Sequence, residues 1–384
     1  MAVQGYGERV ITALPPAPPA IEQPAPYELS FGTVAGTAAP GTRRVVVRAG
    51  GRVLADVPLA GRRFKLRVDL PLHETTVQVV TVDGKGRRAS ASTAHVLGAP
   101  RAAAPRWRAA RLDQFLARDV RRAAAAFGPT SGIYVESLTS GAGAAWNARA
   151  TFPGASTLKL AIAVTALAHL EGAPGHGSYL DRLLRQMLVH SDNAAANAVE
   201  RAYGGSTSGG SALVNALMRS LGLVDTEMYG GYETDGYGAG AVRLPAAAIP
   251  LLVESQPAWG YGKRTTARDL SALLRGVWLA SAGLGPLRSA QPGFTPADAR
   301  YLLYVLARVG DHGKLDRAVG AAAGVRVLHK AGWIGTARHD NGIVFWPGGA
   351  FVATVMTYRP GGAGIASDIL AGRVARIALD RFRG

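Results

Sequence analysis

Cysteine is absent from the 384 residues, which excludes a disulfide framework, a thiolate nucleophile and cysteine-bearing zinc sites. Lysine is scarce. Only Lys65, Lys85, Lys159, Lys263, Lys314 and Lys330 occur, so almost all positive charge is arginine. Arginine stays protonated in proteins, whereas a desolvated lysine beside other cations can lose its proton and act as a base, so the few lysines are informative positions. Long apolar runs are missing too: Leu160 to Leu170 is too short to cross a bilayer, and no integral membrane contact is expected. The start of the chain shows neither the basic segment nor the apolar stretch of a signal peptide; either a leader was removed or the protein is not exported by that route. The eight histidines show no H-E-x-x-H or similar spacing. Neither a metal nor a cofactor is expected.

Acidic residues are outnumbered, 26 against 43 Lys plus Arg, for a net charge of +17. Clustered cations would point to nucleic acid, since neutralising phosphates releases counterions. Here the arginines are spread along the whole chain without aromatic-interleaved basic motifs, so no nucleic-acid partner is expected. A general attraction to anionic cell-wall polymer fits better, with an extracellular or cell-envelope location.

Residues 1–26 read as a disordered, proline-rich lead-in. Residues 27–97 read as β-structure. Phe64, Leu66, Val68 and Leu70 alternate with Arg63, Lys65, Arg67 and Asp69, and Gly50-Gly51 and Asp83-Gly84 mark hairpins. About six short strands predict a small β-sandwich of immunoglobulin-like type. Residues 98–105 read as a linker, and a second domain covers 106–384. An amphipathic helix from Trp107 to about Phe127 and two strands lead into a helical block; three strands and a final helix close the chain. The expected class is α+β, an antiparallel sheet flanked by helices with an inserted all-helical lobe, preceded by the sandwich.

Three short motifs carry chemistry. Ser156-Thr157-Leu158-Lys159 opens the first helix of the block, and at this spacing hydroxyl and amine share one face. A serine at a helix start also places its own N–H where an oxyanion would be stabilised. The bland alternative is an N-cap serine and a solvated lysine; S-x-x-K arises by chance about once in a chain this long. Ser191-Asp192-Asn193, between two helices, reads equally as a capping turn, and Lys330-Ala331-Gly332 on a late strand means nothing alone.

In this order, the motifs make residues 112–384 resemble the class A β-lactamases within the penicillin-recognising serine enzymes. The resemblance implies a β-lactamase/transpeptidase-like fold, with Ser156 as nucleophile and Lys159 as its base or electrostatic partner. Ser191 would relay a proton to the leaving nitrogen. Asn193 would hold an acyl side-chain amide, and Lys330 would attract the substrate carboxylate. The N–H groups of Ser156 and Trp333 would form the oxyanion hole, with substrate along the strand edge of Gly332 and Trp333. Arg338 would bind a carboxylate, and Glu233 or Glu227 would stand where the family carries its deacylating glutamate. Ala331 replaces the family's Thr or Ser, which predicts poor affinity for penicillins, and the short interval from Lys159 to Ser191 predicts a trimmed lobe and a more open cleft.

The function expected from the resemblance is hydrolysis of β-lactam amides through an acyl-enzyme at Ser156, in the sense of antibiotic resistance or β-lactam catabolism. One alternative is a D-alanyl-D-alanine peptidase or esterase acting on peptidoglycan-like peptides. A second is a decayed envelope-binding protein.

Overall fold

The structure is a computed structural model that describes residues 16–128, 130–170, 172–233 and 263–384. Eight strands come first: β1 (Ala20–Gln23), β2 (Leu29–Ser30), β3 (Thr33–Thr37), β4 (Thr42–Ala49), β5 (Arg52–Pro58), β6 (Arg63–Arg67), β7 (Glu74–Asp83) and β8 (Arg88–Gly98). They form a three-stranded sheet, β1-β3-β6, and a five-stranded sheet, β2-β8-β7-β4-β5. Their inward residues, among them Val34, Val45, Val47, Phe64, Val77 and Val79, make one small core, as alternating strands require. The hairpins expected at Gly50-Gly51 and Asp83-Gly84 are the β4–β5 and β7–β8 connections, and both Gly50 and Gly51 take positive φ.

Two boundaries differ from the sequence reading. Ala20–Gln23, expected within the disordered lead-in, is an edge strand paired with β3, a position that tolerates neighbouring prolines; residues 1–15 lie outside the described residues. The expected linker at 98–105 is packed rather than free. Ala99 and Ala103 are buried in the same core as the helical lobe, and the Trp278 indole donates to the Ala103 carbonyl at 3.0 Å.

Beyond it lie β9 (Arg111–Leu112), α1 (Gln114–Phe127), β10 (Thr130–Ser137), β11 (Ala142–Trp146) and β12 (Phe152–Pro153). The first helix starts later than expected because Asp113 caps it, accepting from Leu116 N, while Arg111–Leu112 runs parallel to β11. The lobe follows with α2 (Lys159–His169), α3 (Tyr179–Val189), α4 (Asn193–Gly204), α5 (Thr207–Ser220), β13 (Arg264–Thr265), α6 (Ala267–Ala280), α7 (Gly285–Ala290) and α8 (Pro296–Leu306). The chain closes with β14 (Arg326–Ile334), β15 (Ala337–Trp346), β16 (Gly349–Tyr358) and α9 (Ile365–Arg383).

The main sheet has the order β14-β15-β16-β10-β11-β9, antiparallel except for the short β9. Strand β16 is buried along its whole length because helices cover both faces. Phe351, Ala353 and Val355 meet α1 and α9, while Val352 and Met356 meet the lobe. Helix α2 is apolar on nearly all sides, and it runs through the middle of the lobe core. Among the described residues, no helix is long and apolar enough to cross a membrane.

Candidate active site

The site forms where α2 begins, where α3 hands over to α4, and along the edge strand β14. Phe152-Pro153 pairs with β13, and His339 on β15 holds the Pro153 carbonyl through Nε2 at 2.8 Å. Burial keeps the His339 imidazole neutral, its pKa lowered to about 4, so this clamp carries no charge. Ala155 then adopts a positive φ of 43°, strained for a residue with a Cβ, and a single 3-10 turn from Ala155 to Leu158 leads into α2. That turn places Ser156 at the N-terminal end of α2 and Lys159 on its first residue.

Strand β14 crosses this turn at Gly332. A Cβ there would lie 2.8 Å from Ser156 N and 2.7 Å from Thr157 N, so only glycine lets strand and helix start approach this closely. No acceptor among the described residues takes the Ser156 N–H, leaving it available to a substrate oxygen. Because β14 is the sheet edge, an extended substrate can lie along it.

Both lysines of the motifs are fully buried, at 0% and 1% exposure. Lys159 Nζ donates to the Ser191 carbonyl and to Asn193 Oδ1 at 2.6 Å, with Ser191 Oγ at 3.4 Å. Lys330 Nζ donates to Ser191 Oγ at 3.0 Å and to the Ala331 carbonyl at 2.8 Å. The Ser191 hydroxyl is therefore shared by two amines. Burial first, then the like charges of Lys330 and Lys263, bring the Lys159 pKa down to about 7 against the opposing pull of Asp192. Burial brings Lys330 to about 8, with Lys314 pushing the same way and Asp311 and Asp340 resisting.

The middle motif serves two purposes. Asp192 caps α4, accepting from Ala195 N at 2.6 Å, while Ser191, held at a φ of 58°, points into the site. Capping and chemistry are compatible because successive residues of the turn face different ways.

Asn193 is more occupied than expected of a side-chain receptor. Its Oδ1 takes Lys159 and its Nδ2 donates to the Glu233 carbonyl at 2.8 Å. One turn further along α4, Asn197 grips the backbone of Tyr232, accepting from its N–H at 2.6 Å and donating to its carbonyl at 2.8 Å. The phenol is thereby set over the site. Its hydroxyl donates to the Ala155 carbonyl at 3.0 Å, and the Lys159 amine lies 4.7 Å from its ring centroid.

Residues 114–174 and 171–382 match the model of the β-lactamase enzyme family. The chain belongs to the β-lactamase enzyme family. Solved structures agree at the level of fold. The structure of PBP-A is 21% identical, with a TM-score of 0.55, covering 72% of this chain and 99% of that one. A PBP-A variant in an acyl-enzyme complex with penicillin G is 22% identical with a TM-score of 0.55, at 72% and 99% coverage. The class A β-lactamase from Mycobacterium abscessus is 20% identical with a TM-score of 0.52, at 70% and 100% coverage. No curated protein matches the chain.

Within this β-lactamase-family fold, hydrogen bonds join Lys159, Ser191, Asn193 and Lys330, and Gly332 brings β14 against the backbone of Ser156, while none of these bonds reaches the Ser156 hydroxyl. Trp333, 61% exposed, follows Gly332 on the open edge. Two expectations are corrected. Arg338 is not turned to the cleft: its guanidinium makes a two-pronged ion pair with Asp368 of α9, at 3.1 and 2.7 Å, so it is already matched to a carboxylate. Glu233 meets Asn193 through its backbone carbonyl, and its side chain is exposed. Glu227 is committed to Arg264, through both its carboxylate and its backbone.

Tyr232, Asn197 and Lys263 were missed as functional candidates. Asn193 and Asn197, spaced four apart, would have revealed a polar stripe on α4. Tyr232 carried no such signal in a loop rich in Gly and Tyr. Among the described residues, no cluster of histidines and carboxylates has metal-binding geometry.

Proposed function

We propose that the protein is a serine acyl-transfer hydrolase that opens amides at Ser156, with acylation outpacing release of the acyl group. One observation carries the reading: a buried amine poised near neutrality, Lys159, is bonded to the hydroxyl-bearing turn of Ser191 next to a second buried amine, Lys330. The neutral Lys159 amine takes the Ser156 hydroxyl proton as Oγ bonds to the substrate carbonyl carbon. The oxyanion is held by the Ser156 N–H and by the edge of β14 at Trp333. As the C–N bond breaks, Ser191 passes a proton to the leaving nitrogen, and water later cleaves the ester. Lys330 supplies positive potential for a substrate carboxylate.

Substrates of this chemistry are β-lactams and peptides with D-alanyl-D-alanine-type ends. Tyr232 favours the peptidase side. It fills the space beside Lys159 with a phenol, and among the described residues the hydrogen-bond partners of Lys159 and Lys330 are hydroxyl, amide and carbonyl groups rather than carboxylates. A water attacking the ester therefore finds no carboxylate base among those partners. Intact-mass analysis after exposure to a penicillin is expected to show one stoichiometric adduct, absent in Ser156→Ala, with slow turnover of a chromogenic cephalosporin. Fast steady hydrolysis would restore the lactamase reading; no adduct with penicillins or small acyl esters would favour a binding protein with a decayed site.

A further inference from the structure

Two lysines face the ring of Tyr232. Lys159 Nζ and Lys263 Nζ each lie 4.7 Å from its centroid, so the two amines stand within twice that distance of each other. Lys263 donates to the Gly231 carbonyl at 2.6 Å and lies just before β13. The motif chemistry gives it no task. A lysine there holds its chain against the loop carrying Tyr232 and sets a cation beside the base of the proposed reaction.

We propose that Lys263 is a positioning residue for acyl transfer: its ammonium group, seated against Tyr232, governs how readily Lys159 gives up its proton and so the pH at which Ser156 is acylated. The proposal rests on reading Ser156 and Lys159 as nucleophile and base. Asn197 fixes the Tyr232 backbone, Lys263 is bonded to the adjacent Gly231 carbonyl and Lys159 to Ser191 and Asn193, so each amine is held beside the ring by its own hydrogen bonds. In a water-poor setting a like charge at this range disfavours protonation of its neighbour.

Charged groups around both amines define the balance. Lys159 faces Lys330 from β14, Asp192 from the α3–α4 turn, and Lys263; burial, Lys330 and Lys263 lower it while Asp192 raises it. Burial lowers Lys263, whereas Glu200 of α4 and Glu233 raise it. Glu200 is itself buried, bonded through Oε1 to Ser211 at 2.9 Å with Oε2 unpartnered among the described residues, and burial raises its pKa to about 7. Glu200 thus favours the charged form of Lys263 as its own carboxyl ionises.

The test uses the full chain, whose six lysines make side-chain carbon NMR tractable, with signals assigned by single Lys→Arg changes. In Lys263→Met the Lys159 titration is expected to move up by about one pH unit. Penicillin acylation of Ser156 at pH 6 should fall about tenfold while the rate at pH 9 is kept. Lys263→Arg, which keeps the charge, should restore the wild-type profile. Should Lys263→Met fail to fold, Lys263→Gln takes its place. An unmoved Lys159 titration in the charge-removing variant overturns the proposal, as does an Arg variant that behaves like Met. If the wild type forms no Ser156 adduct, the acyl-transfer reading fails and the kinetic half of the proposal with it, while the NMR titration still decides whether the amines are coupled.

Discussion

Lys159 and Lys330 are both buried amines, yet the chemistry asks opposite things of them. The base must be neutral to accept a proton, and the carboxylate anchor must be charged. With Lys159 at about 7 and Lys330 at about 8, acylation should rise with pH as Lys159 deprotonates and fall again as Lys330 does. Because the two amines share the Ser191 hydroxyl, the limbs belong to the pair as well as to each residue. A narrow bell centred between these values is expected for penicillin acylation followed by stopped flow. A rate unchanged from pH 6 to 9 would remove Lys159 as the base.

At the scale of elements, the site depends on how closely a strand passes a helix start. Gly332 leaves no room for a methyl group over the backbone of Ser156 and Thr157. Gly332→Ala must therefore push β14 away from the turn, and since a displacement of about 1 Å can cost on the order of 100-fold in rate, acylation should fall by that factor or more. Circular dichroism should stay native, because the sheet is held on its other side by β15. Normal acylation by Gly332→Ala would mean that strand and helix start do not cooperate in binding the oxyanion.

For the whole molecule, the strand-rich N-terminal part is docked on the lobe rather than tethered to it. Leu29 and Leu97 share the lobe core, Tyr27 stacks between His95 and His176, and Glu28 makes a two-pronged ion pair with Arg300 of α8 at 2.7 and 3.3 Å. Removing one member of such a mostly buried pair leaves the other charge stranded, at a cost of about 3 kcal/mol. Arg300→Met should therefore lower the urea midpoint of the full chain and resolve the unfolding of the two parts into separate transitions. A coincident, unshifted transition would show that the two parts are energetically independent.

The sequence by itself determined the elements and the reacting groups. Period-two alternation gave the sandwich strands, the apolar run Leu160–Leu170 gave a buried helix, and S-x-x-K, S-D-N and K-x-G gave Lys159, Ser191 and Lys330, whose side chains meet, together with the Ser156 turn that lies against β14. Those signals are local, so they survive in a linear reading. Tertiary structure decided the rest. Arg338 faces Asp368 because β15 presents it to α9, and Tyr232 with Lys263 reaches Lys159 only because Asn197 fastens a loop from 35 residues away. Such contacts depend on which elements pack together, and spacing along the chain carries no record of that.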